Sequence, residues 1–254
     1  MSSDVIQKRI PELDAVRGVA LLLMVFHHTI FDLRYIFGLD CCAFQDAYWF
    51  IGLGRPLVIA IFLLVSGIST RFSRSNAKRG LRMAGFAIAL SLISWALDHW
   101  LHFGIIYFNV LHVIATATLA FALLERFCAT RTRLVARSIA IGAASLVAGA
   151  LGRMLLPEVT RHLGIHILFG QRVTGYAMAD SMALFPIVGF YFLGAALGHT
   201  VYDDERSLLR SDGAGVRWLR PFAWMGRHAL WIYILHQPVI FGVLTLAMRW
   251  GWIG

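Results

Sequence analysis

Residues 12 to 33 read Glu12-Leu13-Asp14-Ala15-Val16-Arg17-Gly18-Val19-Ala20-Leu21-Leu22-Leu23-Met24-Val25-Phe26-His27-His28-Thr29-Ile30-Phe31-Asp32-Leu33. The centre of this stretch is aliphatic enough to cross hydrocarbon. It is nevertheless bracketed by Asp14 and Arg17 on one side and by His27, His28 and Asp32 on the other. A charge at the middle of a bilayer costs about 2.5 to 3.5 kcal/mol on insertion scales, so ionisable groups in such a segment face a protein-lined cavity and act there. The pattern recurs, with His112 inside a later apolar segment and His236-Gln237-Pro238 inside the last. The chain therefore reads as a membrane protein of many helices with a polar, chemically competent interior.

Composition gives the same class. Hydrophobic residues make up 59% of the 254 positions and charged residues 15%, and the mean hydropathy is +0.70, which excludes an ordinary water-soluble domain. With roughly 20 apolar residues per crossing, seven spans are expected, at about 16–37, 48–70, 80–100, 104–124, 135–156, 181–200 and 228–250. The fold class is thus an all-α polytopic membrane protein forming one domain over residues 1–254. The Met1 to Glu12 lead is short and polar and lacks the features of a removed signal peptide.

Orientation follows from the cations. Lys8 and Arg9 precede the first span. Arg71, Arg74, Lys78, Arg79 and Arg82 fill the second connection, Arg126, Arg131, Arg133 and Arg137 the fourth, and Arg206, Arg210, Arg217, Arg220 and Arg227 the sixth. The alternate connections carry Asp40, Asp46, Asp98 and Glu158 with few cations. By the positive-inside rule the N-terminus is cytoplasmic and the C-terminus lies outside. The net charge of +9 is accordingly a topology signal, and nothing points to nucleic acid, because the cations are scattered over loops with no recognisable binding module.

The cysteines and small residues add little chemistry. Cys41 and Cys42 adjoin in an outer loop, where a vicinal bridge is geometrically awkward, and Cys128 falls on the inner side. No metal-ligand spacing is present. The small residues of span five and the Gly194-to-Gly198 pattern ending span six are packing features. Two longer connections, at about 157–180 outside and 201–227 inside, read as loops.

Placed by depth, His28, Asp32, His112, His236 and Asp180 share the outer half of the membrane, as a common chamber requires. His28 and Asp32, four apart, fall on one helix face, where the carboxylate can hold one ring nitrogen and leave the other as a base. Asp14 and Arg17, three apart, can pair at the cytoplasmic mouth, either as an ion pair fixing the helix entry or as a substrate contact.

These residues resemble a known family. Glu12-Leu13-Asp14-Ala15-Val16-Arg17-Gly18, continuing through Met24-Val25-Phe26-His27-His28 to Asp32-Leu33, is similar to the opening helix of bacterial relatives of heparan-α-glucosaminide N-acetyltransferase. More distantly it resembles the acyltransferase-3 membrane family, whose first span carries LDxxRG followed by a His at the spacing of Asp14 to His28. Phe62 to Ser69, Leu111-His112, Ala179-Asp180 with Leu184-Phe185-Pro186, and Gly226-Arg227-His228-Ala229-Leu230 with Tyr233 to Pro238 resemble the family's later elements in order. One departure stands out. The lysosomal heparan enzyme has Asn where this chain has His28 and places its catalytic His slightly later, whereas here no His lies between His28 and His99.

The resemblance implies a membrane acyltransferase that moves an acetyl group from cytoplasmic acetyl-CoA to an extracytoplasmic acceptor, a saccharide or glycan. It uses no metal and sits in a bacterial inner membrane. His28, Asp32, His112 and His236 are then the catalytic candidates, with His28 as base or as acyl carrier. Asp14, Arg17, Asp180, Gln237, Arg71, Arg74 and Lys78 are the substrate-binding candidates, with Arg71, Arg74, Lys78 or Arg79 meeting the coenzyme phosphates. A second copy of the chain is left open as a partner. Two other readings fit the bare residues: paired imidazoles ligating haem, as in a b-type electron carrier, and a proton-coupled transporter built on buried His and Asp.

Overall fold

The computed structural model describes residues 10–102, 104–202, 207 and 214–253. Lys8, Arg9, Arg206 and Arg210, and the polar lead before residue 10, lie outside them. In chain order come helix α1 (Pro11–Phe31), prolonged by a π-wound turn at Asp32–Ile36, a 3-10 turn at Ala43–Asp46, and a second π turn at Phe50–Gly54 leading into α2 (Arg55–Ile68). Then follow α3 (Asn76–Leu101), strand β1 (Ile105–Phe108), α4 (Val110–Arg126) and α5 (Arg131–Leu155). Next are β2 (Val159–Thr160), α6 (Leu163–Phe169), β3 (Arg172–Val173) and β4 (Met178–Ser181), and last α7 (Ile187–Val201), α8 (Ala214–Arg227) and α9 (Ala229–Arg249).

Among the described residues, five helices are long and apolar enough to cross a membrane: Pro11–Ile36, Phe50–Ile68, Asn76–Trp100, Arg131–Leu155 and Ala229–Arg249. The protein is an integral membrane protein built from helices. Two expected spans are shorter than their apolar stretches suggest. The segment at 104–124 opens as β1, and Asn109 then caps α4, its side chain accepting from Leu111 N at 3.1 Å. The segment at 181–200 opens with the end of β4 and becomes helical only after Pro186. β1 and β4 pair in parallel, so backbone that would have been helical is spent on a two-stranded ladder.

The chain divides into two compact units, Met1–Phe62 with Arg206–Gly254, and Leu63–Glu205. In the first, α1 packs on α8 and α9. The inner connection expected as loop contains α8, whose contact with α1 is made through glycines: a Cβ on Gly18 would strike the Phe222 carbonyl, and one on Gly226 would strike the Asp14 carbonyl. The two backbones touch, as small-residue faces allow.

In the second unit, α3 packs on α4 and β1, and α7 packs on α4 and α5. Its core includes Leu63, Val113, Ala117, Phe121, Tyr191 and Ala195. Gly67, Gly194 and Gly198 bring α2 and α7 into backbone contact, while Gly142 and Gly149 seat α5 on Leu193 and Pro186. The connection at 157–180, expected as a loop, is ordered. β2 and β3 pair in parallel, and buried Gln171 donates to the Gly152 carbonyl at 3.0 Å.

Candidate functional site

The first unit gathers four of the predicted residues. His28 and His236 lie with ring centroids 4.8 Å apart. One residue beyond His236, the Gln237 amide donates to both oxygens of Asp32, at 3.0 and 2.9 Å. Asp32 is fully buried, and among the described residues it has no cationic partner. Because a carboxylate only accepts, the amide nitrogen must face it, which turns Gln237 Oε1 the other way. That oxygen is buried without a partner.

Local structure explains these positions. Asp32 begins the π-wound turn that ends α1, and π segments are frequent at functional sites. On α9, Pro238 removes one helical donor and so frees the Ile234 carbonyl, next to the one that His236 engages. His236 Nδ1 meets the Tyr233 carbonyl at 2.5 Å. Since that carbonyl can only accept, Nδ1 carries the hydrogen and Nε2 presents its lone pair. Nε2 is buried and has no partner. The His27 ring lies 5.5 Å from that of His28 and also packs on Phe50 and Phe31, at 5.6 and 6.3 Å. Above the site, buried Gln45 donates to the Ile30 carbonyl at 3.1 Å.

The expected clamp of His28 by Asp32 is not made. Asp32 is satisfied by Gln237, whose single NH2 reaches both oxygens, and the His28 ring rests on His236 instead. At the other end of α1, Asp14 and Arg17 form the predicted ion pair at 3.0 Å, each largely shielded.

The remaining candidates belong to the second unit. His112 Nδ1 accepts from Asn109 N at 3.2 Å, completing a capping box at the start of α4, and Nε2 faces Ser91 Oγ at 3.2 Å. Ser91 donates to the Ile106 carbonyl at 2.6 Å, so its oxygen accepts from the ring. Both nitrogens of His112 are engaged. Asp180 lies in β4 opposite Ile106. Arg74 and Lys78 are exposed and Arg71 half-buried. Ser75 caps α3 by accepting from Lys78 N at 3.3 Å.

Sequence reasoning missed Gln45, Ser91 and Asn109. Asn109 with His112 three residues later has the spacing of a capping box, which was a legible signal. Gln45 and Ser91 had none, being single polar residues whose partners come from other elements. Among the described residues, no cluster of three or more His, Cys, Asp or Glu is placed to hold a metal.

Fold and site together define a helical membrane protein with buried, partner-free acceptor atoms beside an imidazole pair. The family model for the catalytic domain of heparan-alpha-glucosaminide N-acetyltransferase matches residues 9–238. The chain belongs to this family, whose name is that of an acetyltransferase. No curated protein and no solved structure matches it.

Proposed function

We propose that the protein transfers an acetyl group from cytoplasmic acetyl-CoA to the hydroxyl or amine of an extracytoplasmic saccharide, with the His28–His236 pair managing the proton. One observation carries this reading. His236 Nε2 and Gln237 Oε1, on adjacent residues, are buried acceptors with no donor. A buried acceptor left unpaired costs about 1 to 3 kcal/mol. Such atoms suit a ligand that arrives bearing a hydrogen-bond donor, as an attacking hydroxyl or amine does.

In the reaction, His236 Nε2 takes the acceptor's proton as its oxygen or nitrogen bonds to the thioester carbonyl carbon. The carbon–sulfur bond then breaks, and the departing thiolate takes that proton from His236, which returns the ring to its neutral form. His28, packed against His236, fixes that ring and is the alternative base. Asp32, held by Gln237, sets the Gln237 side chain so that Oε1 faces the acceptor. His112 serves by ordering the start of α4.

Arg71, Arg74 and Lys78 are assigned to the coenzyme phosphates, Asp14 and Arg17 to the inner mouth, and Asp180 to the acceptor side. The cation distribution supports a cytoplasmic N-terminus and seven crossings, with α4 and α7 as the two short ones. A bacterial inner membrane is the matching location. The haem reading finds less support, since His28 and His236 pack directly and would have to part to admit a macrocycle.

The test is turnover of acetyl-CoA by purified protein with amino-sugar and neutral-sugar acceptors, followed as thiol release and acetylated product. A general base contributes about 10²- to 10⁴-fold. His236→Ala and His28→Ala together should lose at least about 100-fold at equal folding. Full turnover by the double variant rejects the imidazole pair.

A further inference from the structure

The second unit holds a separate group of buried polar atoms at one end of its bundle. There the turn after α2, the start of α3 and the end of α7 supply the buried Thr70, Asn76 and His199, while the end of α4 and the start of α5 add the exposed Glu125 and Arg131. Thr70, Asn76 and His199 are all more than nine-tenths buried. Asn76 donates to the Thr70 carbonyl and to Glu125, both at 3.2 Å. One turn along α3, Arg79 donates to the Ser66 carbonyl at 2.9 Å. His199 packs on Phe121, ring centroids 5.8 Å apart, and feels the charges of Arg71 and Arg131.

Several of these groups are unfinished. Thr70 Oγ1, Asn76 Oδ1, Arg79 Nη1 and His199 Nε2 are buried without a hydrogen-bond partner. Native proteins leave few such atoms, so a concentration of them needs an explanation. Two of the four carry hydrogens whatever the protonation state, the Thr70 hydroxyl and the Arg79 guanidinium, and His199 Nε2 is a third donor in one tautomer. Asn76 Oδ1 accepts, which matches the hydroxyl of a partly protonated oxyanion. The charge balance agrees, with Arg71, Arg79 and Arg131 set against Glu125.

We propose that this cluster is a buried binding site for a phosphate group, with the Arg79 fork as its principal contact and Thr70, Asn76 and His199 as its walls. A guanidinium presents planar paired donors that fit two phosphate oxygens, and buried charge-assisted hydrogen bonds of this kind are the strong ones. The site stands on the second unit's own geometry and does not require the acyl-transfer reading.

The experiment measures binding to the full-length protein in nanodiscs, with and without anionic lipid, using inorganic phosphate and adenosine 3′,5′-bisphosphate as soluble probes. Saturable binding to wild type is expected, weakened at least tenfold by Arg79→Ala and by His199→Ala and less by Arg79→Lys, with Arg133→Ala as the exposed-charge control. Thr70→Val covers the case in which loss of the Arg79–Ser66 contact impairs folding, and should itself weaken binding severalfold. Preference for the bisphosphate identifies a nucleotide bearer, and preference for phosphate a free ion. Occupancy only in anionic nanodiscs, sensitive to the same variants, identifies a lipid headgroup. Failure of every probe to saturate, or equal binding by wild type and all four variants, overturns the proposal. Because acetyl transfer is scored separately through His28 and His236, loss of either conclusion leaves the other standing.

Discussion

The contact between Asp32 and Gln237 invites the sharpest test, because a fully buried carboxylate takes both its side-chain bonds from one amide group. Truncation by Gln237→Ala strands the carboxylate. Hydrogen bonds to charged groups are worth about 1.5 to 3 kcal/mol, and removing one partner of a buried charged pair costs about 3 to 5 kcal/mol. Side-chain bonds between membrane helices average only about 0.6 kcal/mol, with a maximum near 1.7, since the unfolded chain also finds partners in lipid. The Asp32 pair should exceed that average, because two bonds depend on one group and neither oxygen sees solvent. A coupling of about 2 to 3 kcal/mol is expected between Asp32→Leu and Gln237→Leu, with the double variant closer to wild type than the sum of the singles. The assay is reversible unfolding of detergent-solubilised protein by denaturing detergent, run as a double-mutant cycle. For a chain of this size each kcal/mol shifts the thermal midpoint by about 2 to 4 °C, which gives an independent check. Additive singles, or coupling below about 0.6 kcal/mol, would refute the argument that Gln237 satisfies Asp32.

Other expectations are simpler. His112→Ala should lower stability by about 1 kcal/mol through loss of the α4 cap, with a smaller effect on turnover than His236→Ala; the reverse order would return His112 to the chemistry. Gly226→Ala should destabilise by about 1 to 3 kcal/mol, because its Cβ meets the Asp14 carbonyl, whereas Gly85→Ala, with open space around it, should stabilise by about 0.5 to 1 kcal/mol. Equal unfolding midpoints for the two would dismiss the α1–α8 contact. In the loop expected to lie outside, burial first and then its Cys41 neighbour push the Cys42 thiol above its ordinary value. A raised thiol pKa means less thiolate at a given pH, so Cys42 should react with maleimide more slowly than a free peptide thiol at pH 8, and faster in a Cys41→Ser background, which removes the Cys41 contribution. An impermeant maleimide should still reach it from outside intact cells, and should reach Cys128 only after permeabilisation. Labelling of Cys128 alone in intact cells reverses the orientation.

The linear chain settled those properties that depend on one helix at a time. The aliphatic centre of residues 12 to 33, with ionisable residues at both ends, fixes the membrane class, because hydrocarbon admits such groups only into a protein interior. The Asp14–Arg17 pair was legible for the same reason, since three residues along a helix return a side chain to the same face. Family membership was readable from the ordered motifs between Glu12 and Pro238. The length of each apolar run did not reveal where helix gives way to strand, because β1 and β4 need each other to form and lie some seventy residues apart.

Only tertiary packing decided which partner each polar group takes. Asp32 had two eligible neighbours, His28 on its own helix and Gln237 about two hundred residues away, and the register of α9 against α1 awarded it to the amide. That choice released His28 to pack on His236 and left Nε2 and Oε1 without donors. His112 was settled oppositely, its ring consumed by Asn109 and Ser91. Spacing along one helix states which groups are able to meet. The approach of separate helices determines which hydrogen-bonding capacities are used up, and the capacity left over is what a substrate can engage.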